Sequence, residues 1–126
     1  MASILVISGK SSGYYLALDD NPSTVVVIGR DEGCDVQVLD ELVSRRHLEI
    51  KFDSESKAYL ATDVESANGV VINGRQITQP VPLADNDAIV IGESKLFFTT
   101  KNYPDREAAV LDIKQRGERG KNTMIQ

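Results

Sequence analysis

The chain has 126 residues, 41% of them hydrophobic and 26% charged, an ordinary balance for one domain with its own core. A net charge of -5 argues against general nucleic-acid binding, which needs a broad basic face, but leaves room for a small local anion site. The single cysteine, Cys34, excludes an internal disulfide and a Cys-rich zinc site, and no stretch is apolar for long enough to span a membrane.

The chain opens with "MASILVISGK", which lacks the basic leader and long apolar core of a signal peptide, so a cytoplasmic protein is the simplest expectation. Short β runs then follow one another. "ILVIS" spans 4–8, "YYLAL" 14–18, "TVVVIG" 24–29 and "VQVL" 36–39. "HLEIKF" at 47–52 alternates cleanly, with Leu48, Ile50 and Phe52 on one face and Glu49 and Lys51 on the other. "AYLATD" at 58–63 is its expected hairpin partner across the polar turn 53–57. "VVI" and "RQI" flank Asn73-Gly74, a strong signal for a tight hairpin because a type I′ turn needs positive φ at both central residues. "AIVIG" at 88–92 and "KLFFTT" at 95–100 close the series. Strands this short, without intervening helical patterns, predict an all-β sandwich or barrel. After Tyr103-Pro104 the character changes. "DREAAVLDIKQR" at 105–116 reads as a helix with Asp105 as N-cap, and "GERGKNTMIQ" as a flexible tail. The expected division is a β domain at 1–102 and a helix with tail at 103–126. No heptad or large apolar stripe argues for an oligomer.

Four loop signals stand out: Gly29-Arg30, Ser44-Arg45-Arg46-His47, Ser66-Ala67-Asn68-Gly69 and Asn73-Gly74. Each alone has a plain reading. Arg45 and Arg46 fit a solvated pair at a strand start, and Asn73-Gly74 a structural turn. Ser44 and His47 suggest nucleophile and base, but without an evident orienting acid they make a poor triad. Asp31, Glu32, Asp35 and Asp40 lack calcium-loop spacing and read as loop solvation. Cys34 reads as a small loop or core residue.

Together, in this order, the signals are far more specific. "VIGRDEGCDVQVLDELVSRRHLEI", "DVESANGVVINGRQI" and "LADNDAIVIG" resemble the forkhead-associated (FHA) domain over roughly residues 4–100. The resemblance implies an FHA-like β-sandwich of about eleven strands whose loops at one end bind phosphothreonine in an extended peptide. It implies Arg30 and Ser44 as primary phosphate ligands, Arg45 as an auxiliary one, and Asn68 as the group that holds the peptide backbone. His47 resembles the structural histidine that braces the loops. Gly29, Ser66, Gly69, Asn73 and Gly74 belong to the structural motif. Leu42, two residues before Ser44, occupies the position that reads the third residue after the phosphothreonine, so an aliphatic residue is expected there. Two departures stand out. Ala67 replaces a threonine common before the asparagine and removes a hydroxyl that reaches phosphate. Asn86 replaces a common glycine and tolerates positive φ.

The chemistry agrees with that implication. A phosphothreonine carries ~1.5 to 2 negative charges and three acceptor oxygens, and arginine forks onto such oxygens with a fixed, always-charged plane. The expected function is a non-enzymatic module, with no cofactor and no metal, that docks a phosphothreonine-containing protein such as a Ser/Thr kinase or its substrate. Alternatives are an FHA-fold module that binds its partner without phosphate and a small hydrolase built on Ser44 and His47. Thr123, in the basic stretch before Met124 and Ile125, is a candidate phosphosite that the same pocket could read in cis or in another copy.

Overall fold

The computed structural model describes residues 2–125, with side chains described through Arg116. These residues form eleven strands and one helix. In chain order they are β1 (Ala2–Ser8), β2 (Tyr15–Leu18), β3 (Val25–Gly29), β4 (Val36–Gln37), β5 (Leu48–Asp53), β6 (Ala58–Asp63), β7 (Val70–Ile72), β8 (Arg75–Gln76), β9 (Val81–Pro82), β10 (Asp87–Ile91), β11 (Ser94–Thr99) and α1 (Arg106–Ile125). One sheet has the order β2-β1-β11-β10-β7-β8 and the other β4-β3-β5-β6-β9. The two pack face to face as a β-sandwich.

Alternation decides which side chains enter the core. On β5, Leu48 and Ile50 are buried, Phe52 is half-buried, and Lys51 faces solvent. The β5–β6 hairpin pairs Leu48 with Asp63 through to Asp53 with Ala58, across the expected turn. Ile4, Ile28, Ile50, Ile89, Leu96 and Phe98 fill the space between the sheets.

β1 and β11 break the alternation, and the break has a cause. Ala2 to Val6 are all buried, as are both Phe97 and Phe98. Strands covered on both faces read as continuous apolar runs. Here the outer cover is α1, whose Ile113 packs on Leu5 and Phe97, with Tyr15, Tyr103 and Val110 around them. The helix therefore docks on the sandwich. Asp105 caps it, its Oδ1 accepting the Ala108 N–H at 2.9 Å. Arg106 donates to the Gly13 carbonyl at one end of the sandwich. Arg116 donates to Thr99 Oγ1 and the Tyr103 hydroxyl, both at 2.9 Å, at the other. The helix runs past Arg116, so the tail expected there is continuous with it; the Thr123 side chain lies outside the described residues.

The Asn73-Gly74 turn has φ of 50° and 84°, as type I′ requires. Asn73 also locks this end. Its Oδ1 accepts the Ala88 N–H and its Nδ2 donates to Asp87 Oδ1 at 2.7 Å. Asn86 has φ of 72°. One strand is absent from the sequence reading: β9, which pairs Val81 with Ala61 at the edge of its sheet. Pro80 and Pro82 hide it, because proline cannot donate to a ladder and survives only at edges.

Candidate functional site

Strand register brings the loops together. Ser8 lies opposite Lys95, Ile28 opposite Leu48, Leu48 opposite Asp63 and Ile91 opposite Val70. The connections 9–14, 30–35, 38–47, 64–69 and 92–93 therefore crowd one end of the sandwich. Asn73 and Gly74 sit at the opposite end and take no part in this cluster.

Gly29 ends β3 where the chain entering β5 passes closest. A Cβ there would collide with the Arg45 carbonyl and come within 3.0 Å of Arg46 Cα. Glycine permits the approach, and backbone bonds then stitch the two segments. The Arg30 N–H donates to the Ser44 carbonyl at 3.0 Å and the Asp31 N–H to the Arg45 carbonyl at 3.1 Å. The Arg30 side chain is pinned as well, its Nε–H donating to the Val43 carbonyl at 3.0 Å. Its terminal nitrogens face solvent, and among the described residues no carboxylate lies within 4.0 Å of them.

His47 is fully buried and its ring ties the 38–47 loop to the 64–69 loop. Its Nδ1 accepts the Ser44 N–H at 2.9 Å, which assigns the ring proton to Nε2, and Nε2–H donates to the Gly69 carbonyl at 2.7 Å. Both bonds bear on what Ser44 can do. The Ser44 amide is consumed by the ring and is not offered to a ligand. Both ring nitrogens are taken, Nδ1 by the Ser44 amide and Nε2 by the Gly69 carbonyl, so neither is free to act as a base on the Ser44 hydroxyl. Instead Ser44 Oγ accepts the Ala67 N–H at 3.0 Å, and its own proton has no acceptor among the described residues.

Asn68 is exposed and its Nδ2 donates to the Leu42 carbonyl at 2.8 Å, leaving Oδ1 toward solvent. Ser66 shapes the same loop by accepting the Gly69 N–H at 3.0 Å, with Gly69 at φ of 82°. Arg45 is exposed, with no carboxylate within 4.0 Å among the described residues, whereas Arg46 pairs with Glu49 at 3.6 Å. Leu39 and Leu42, 52% and 44% exposed, form an apolar wall beside Arg30. They line an open groove of about 860 Å³.

Sequence reading missed Asp40. It is not loop solvation. Oδ1 accepts the Leu42 N–H, and Oδ2 accepts the Glu93 N–H and the Ser94 hydroxyl, at 2.8 to 2.9 Å. Burial pushes this carboxyl up, but those hydrogen bonds outweigh it and hold it below the usual carboxylate range. Asp40 thus ties the loop that carries Leu42 and Ser44 to the β10–β11 turn. The signal was present as a short acid two residues before a backbone amide, a common local turn. Its long-range partners 53 and 54 residues away were not. Asp35 is also structural, accepting the Val27 N–H at 2.8 Å. Cys34 donates to the Arg45 carbonyl, and burial and Asp31 push its thiol up, away from reactive thiolate. Among the described residues no cluster of three or more His, Cys, Asp or Glu side chains is placed to hold a metal.

Comparison with known proteins gives a consistent picture. The FHA domain family matches residues 26–92. The human "Angiogenic factor with G patch and FHA domains 1" is 36% identical over 86 residues, which span 62% of this chain and 12% of that protein. "Glycogen accumulation regulator GarA" of Mycobacterium tuberculosis is 32% identical over 99 residues, 79% of this chain and 57% of that one. The chain thus spans a minor part of the first relative and little over half of the second. Among solved structures, one described as "Structural and functional analysis of phosphothreonine-dependent FHA domain interactions" superposes with a TM-score of 0.68 at 29% identity, covering 81% of this chain and 98% of that chain. The FhaA FHA domain complexed with the intracellular domain of Rv3910 gives 0.66 at 31%, covering 78% and 99%. With its two-sheet sandwich and its loops gathered around Arg30, Ser44, His47 and Asn68, this chain belongs to the FHA domain family.

Proposed function

We propose that this chain binds phosphothreonine in extended peptides and so docks proteins phosphorylated by Ser/Thr kinases, either a kinase itself or its substrate. One observation carries the reading. The Arg30 guanidinium is anchored through Nε while its terminal nitrogens stay open, beside a Ser44 hydroxyl whose acceptor side is already taken by Ala67 N–H. Such a site offers an oriented, charged donor and a hydroxyl, neither paired with a carboxylate among the described residues, which suits a phosphate dianion. Arg45 adds a second free cation from the same loop. Asn68 holds its amide oxygen toward the place where an extended peptide backbone would lie, and an amide can both give and take a backbone hydrogen bond. Leu42 and the groove beside it accept an aliphatic side chain downstream.

Each charge-assisted hydrogen bond contributes about 1.5–3 kcal/mol. Three such bonds supply about 4.5–9 kcal/mol gross, so after association and ordering costs a micromolar affinity of about -8 kcal/mol also requires the backbone contacts at Asn68 and the apolar contact at Leu42. The similar solved structure whose description names phosphothreonine-dependent FHA domain interactions supports this reading.

The test is binding of a degenerate phosphothreonine peptide library against its phosphoserine and unphosphorylated counterparts. Wild-type protein is expected to select phosphothreonine and Arg30→Ala to lose it. Equal binding of phosphorylated and unphosphorylated peptide, indifferent to Arg30, would instead favour the phosphate-independent module that the missing hydroxyl at Ala67 leaves open.

A further inference from the structure

The groove beside Arg30 continues past Leu39. Lys10 and Leu39 also line a second open cavity of about 330 Å³, completed by Ser12, Tyr14, Gln37 and Arg106 among others. The two spaces share a wall and differ in charge. Around the first, Lys10 and Arg30 face Asp40, Glu41 and Glu93. Around the second stand Lys10 and Arg106, and no lining residue is acidic.

Both cations are available. Among the described residues no carboxylate lies within 4.0 Å of either. Arg106 is held in place through Nε, which donates to the Gly13 carbonyl, so its plane is fixed and its other nitrogens need not be ordered by a ligand. Lys10 and Gly13 come from the same β1–β2 connection, so the helix and this loop present their charges together. An extended peptide advances ~3.3 Å per residue, so a chain crossing Leu42 and Leu39 reaches the second cavity within a few residues.

We propose that Lys10 and Arg106 form a second anion-reading subsite, which takes an acidic side chain of the same phosphopeptide beyond the residue seated on Leu42 and Leu39. The inference rests on the phosphothreonine reading above. It brings α1, which lies outside the matched region 26–92, into partner selection. It also predicts an ordered pattern. Glu41 and Glu93 disfavour acids in the first groove, and the second cavity favours them.

Titration calorimetry with synthetic peptides tests this. Each peptide has phosphothreonine and a leucine three places after it, followed by Glu-Asp in one version and Ser-Gly in the other. Wild-type protein is expected to bind the acidic version about tenfold more tightly at low salt, with the gap closing as salt screens exposed charges. Lys10→Gln and Arg106→Gln are each expected to shrink that gap severalfold without weakening the neutral peptide. Lys10→Gln leaves the helix anchor untouched, so it separates charge reading from helix docking. Equal affinity for both versions, with the neutral one still dependent on Arg30, would overturn the subsite alone. A gap that survives both substitutions would overturn it too. If neither phosphopeptide binds, the phosphothreonine reading falls and the subsite with it.

Discussion

Replacing Gly29 by alanine places one methyl group against backbone that has no slack. The new Cβ would lie 2.8 Å from the Arg45 carbonyl carbon and 3.0 Å from Arg46 Cα, where carbon pairs settle at about 3.5–4.0 Å. The obstacle is main chain, so no rotamer change relieves it. The strand entry must retreat by roughly 1 Å. Overpacking of this kind costs about 1–3 kcal/mol. The Arg45 carbonyl that must move also accepts the Asp31 N–H and the Cys34 thiol, each at 3.1 Å. Weakening them adds about 1 kcal/mol. The sum, about 2–4 kcal/mol, is a large share of an ordinary domain's stability. The same retreat strains the Arg30 N–H to Ser44 carbonyl bond, which sets the spacing of the two proposed phosphate ligands. Gly29→Ala is therefore expected to lower the urea midpoint and also to weaken phosphopeptide binding by more than tenfold in the population that remains folded. Urea unfolding followed by tryptophan-free circular dichroism measures the first, and calorimetry well below the midpoint measures the second. A variant with unchanged midpoint and affinity would refute the close-approach argument.

Asp40→Ala removes three accepted hydrogen bonds and is expected to cost about 1–3 kcal/mol and to weaken phosphopeptide binding severalfold, although Asp40 is not itself a proposed ligand. Because the folded protein holds this carboxyl below its ordinary value, its contribution is present in full above the unfolded pKa of about 4 and is lost as pH falls through the lower folded value. The stability gap between wild type and Asp40→Ala, read by urea unfolding, is expected to be flat from pH 5 to 8 and to narrow only below about pH 4. Removing residues 103–126 uncovers Leu5 and Phe97 and deletes Ile113. Residues 1–102 are expected to fold with about 2–5 kcal/mol less stability, while a neutral phosphopeptide binds as before. Unaltered stability of the truncated chain would contradict the docking of α1.

Much of this architecture was legible because local chemistry specified it. Alternation located β5 and β6, and Asn73-Gly74 demanded its own turn. What escaped notice depends on partners distant in sequence. Asp40 looks like any loop acid until the β10–β11 turn arrives beside it. The continuous apolar runs in β1 and β11 held a usable hint that something covers both faces, and α1 does. At the site, the resemblance named Arg30, Ser44, Asn68 and His47, and the fold gathers them at one end. It did not reveal that the Ser44 amide is already engaged, because a residue type says nothing about which of its donors is spent.

That engagement has a kinetic consequence. The hydrogen bonds running from Ala67 to Ser44 and from Ser44 through His47 to Gly69 are complete before any partner arrives. In the proposed binding mode none of these bonds is expected to break or reform for an incoming phosphate, so arrival should carry no waiting step at this relay. Encounter rates for different partner sequences then stay close together, and residence time sorts good partners from poor ones.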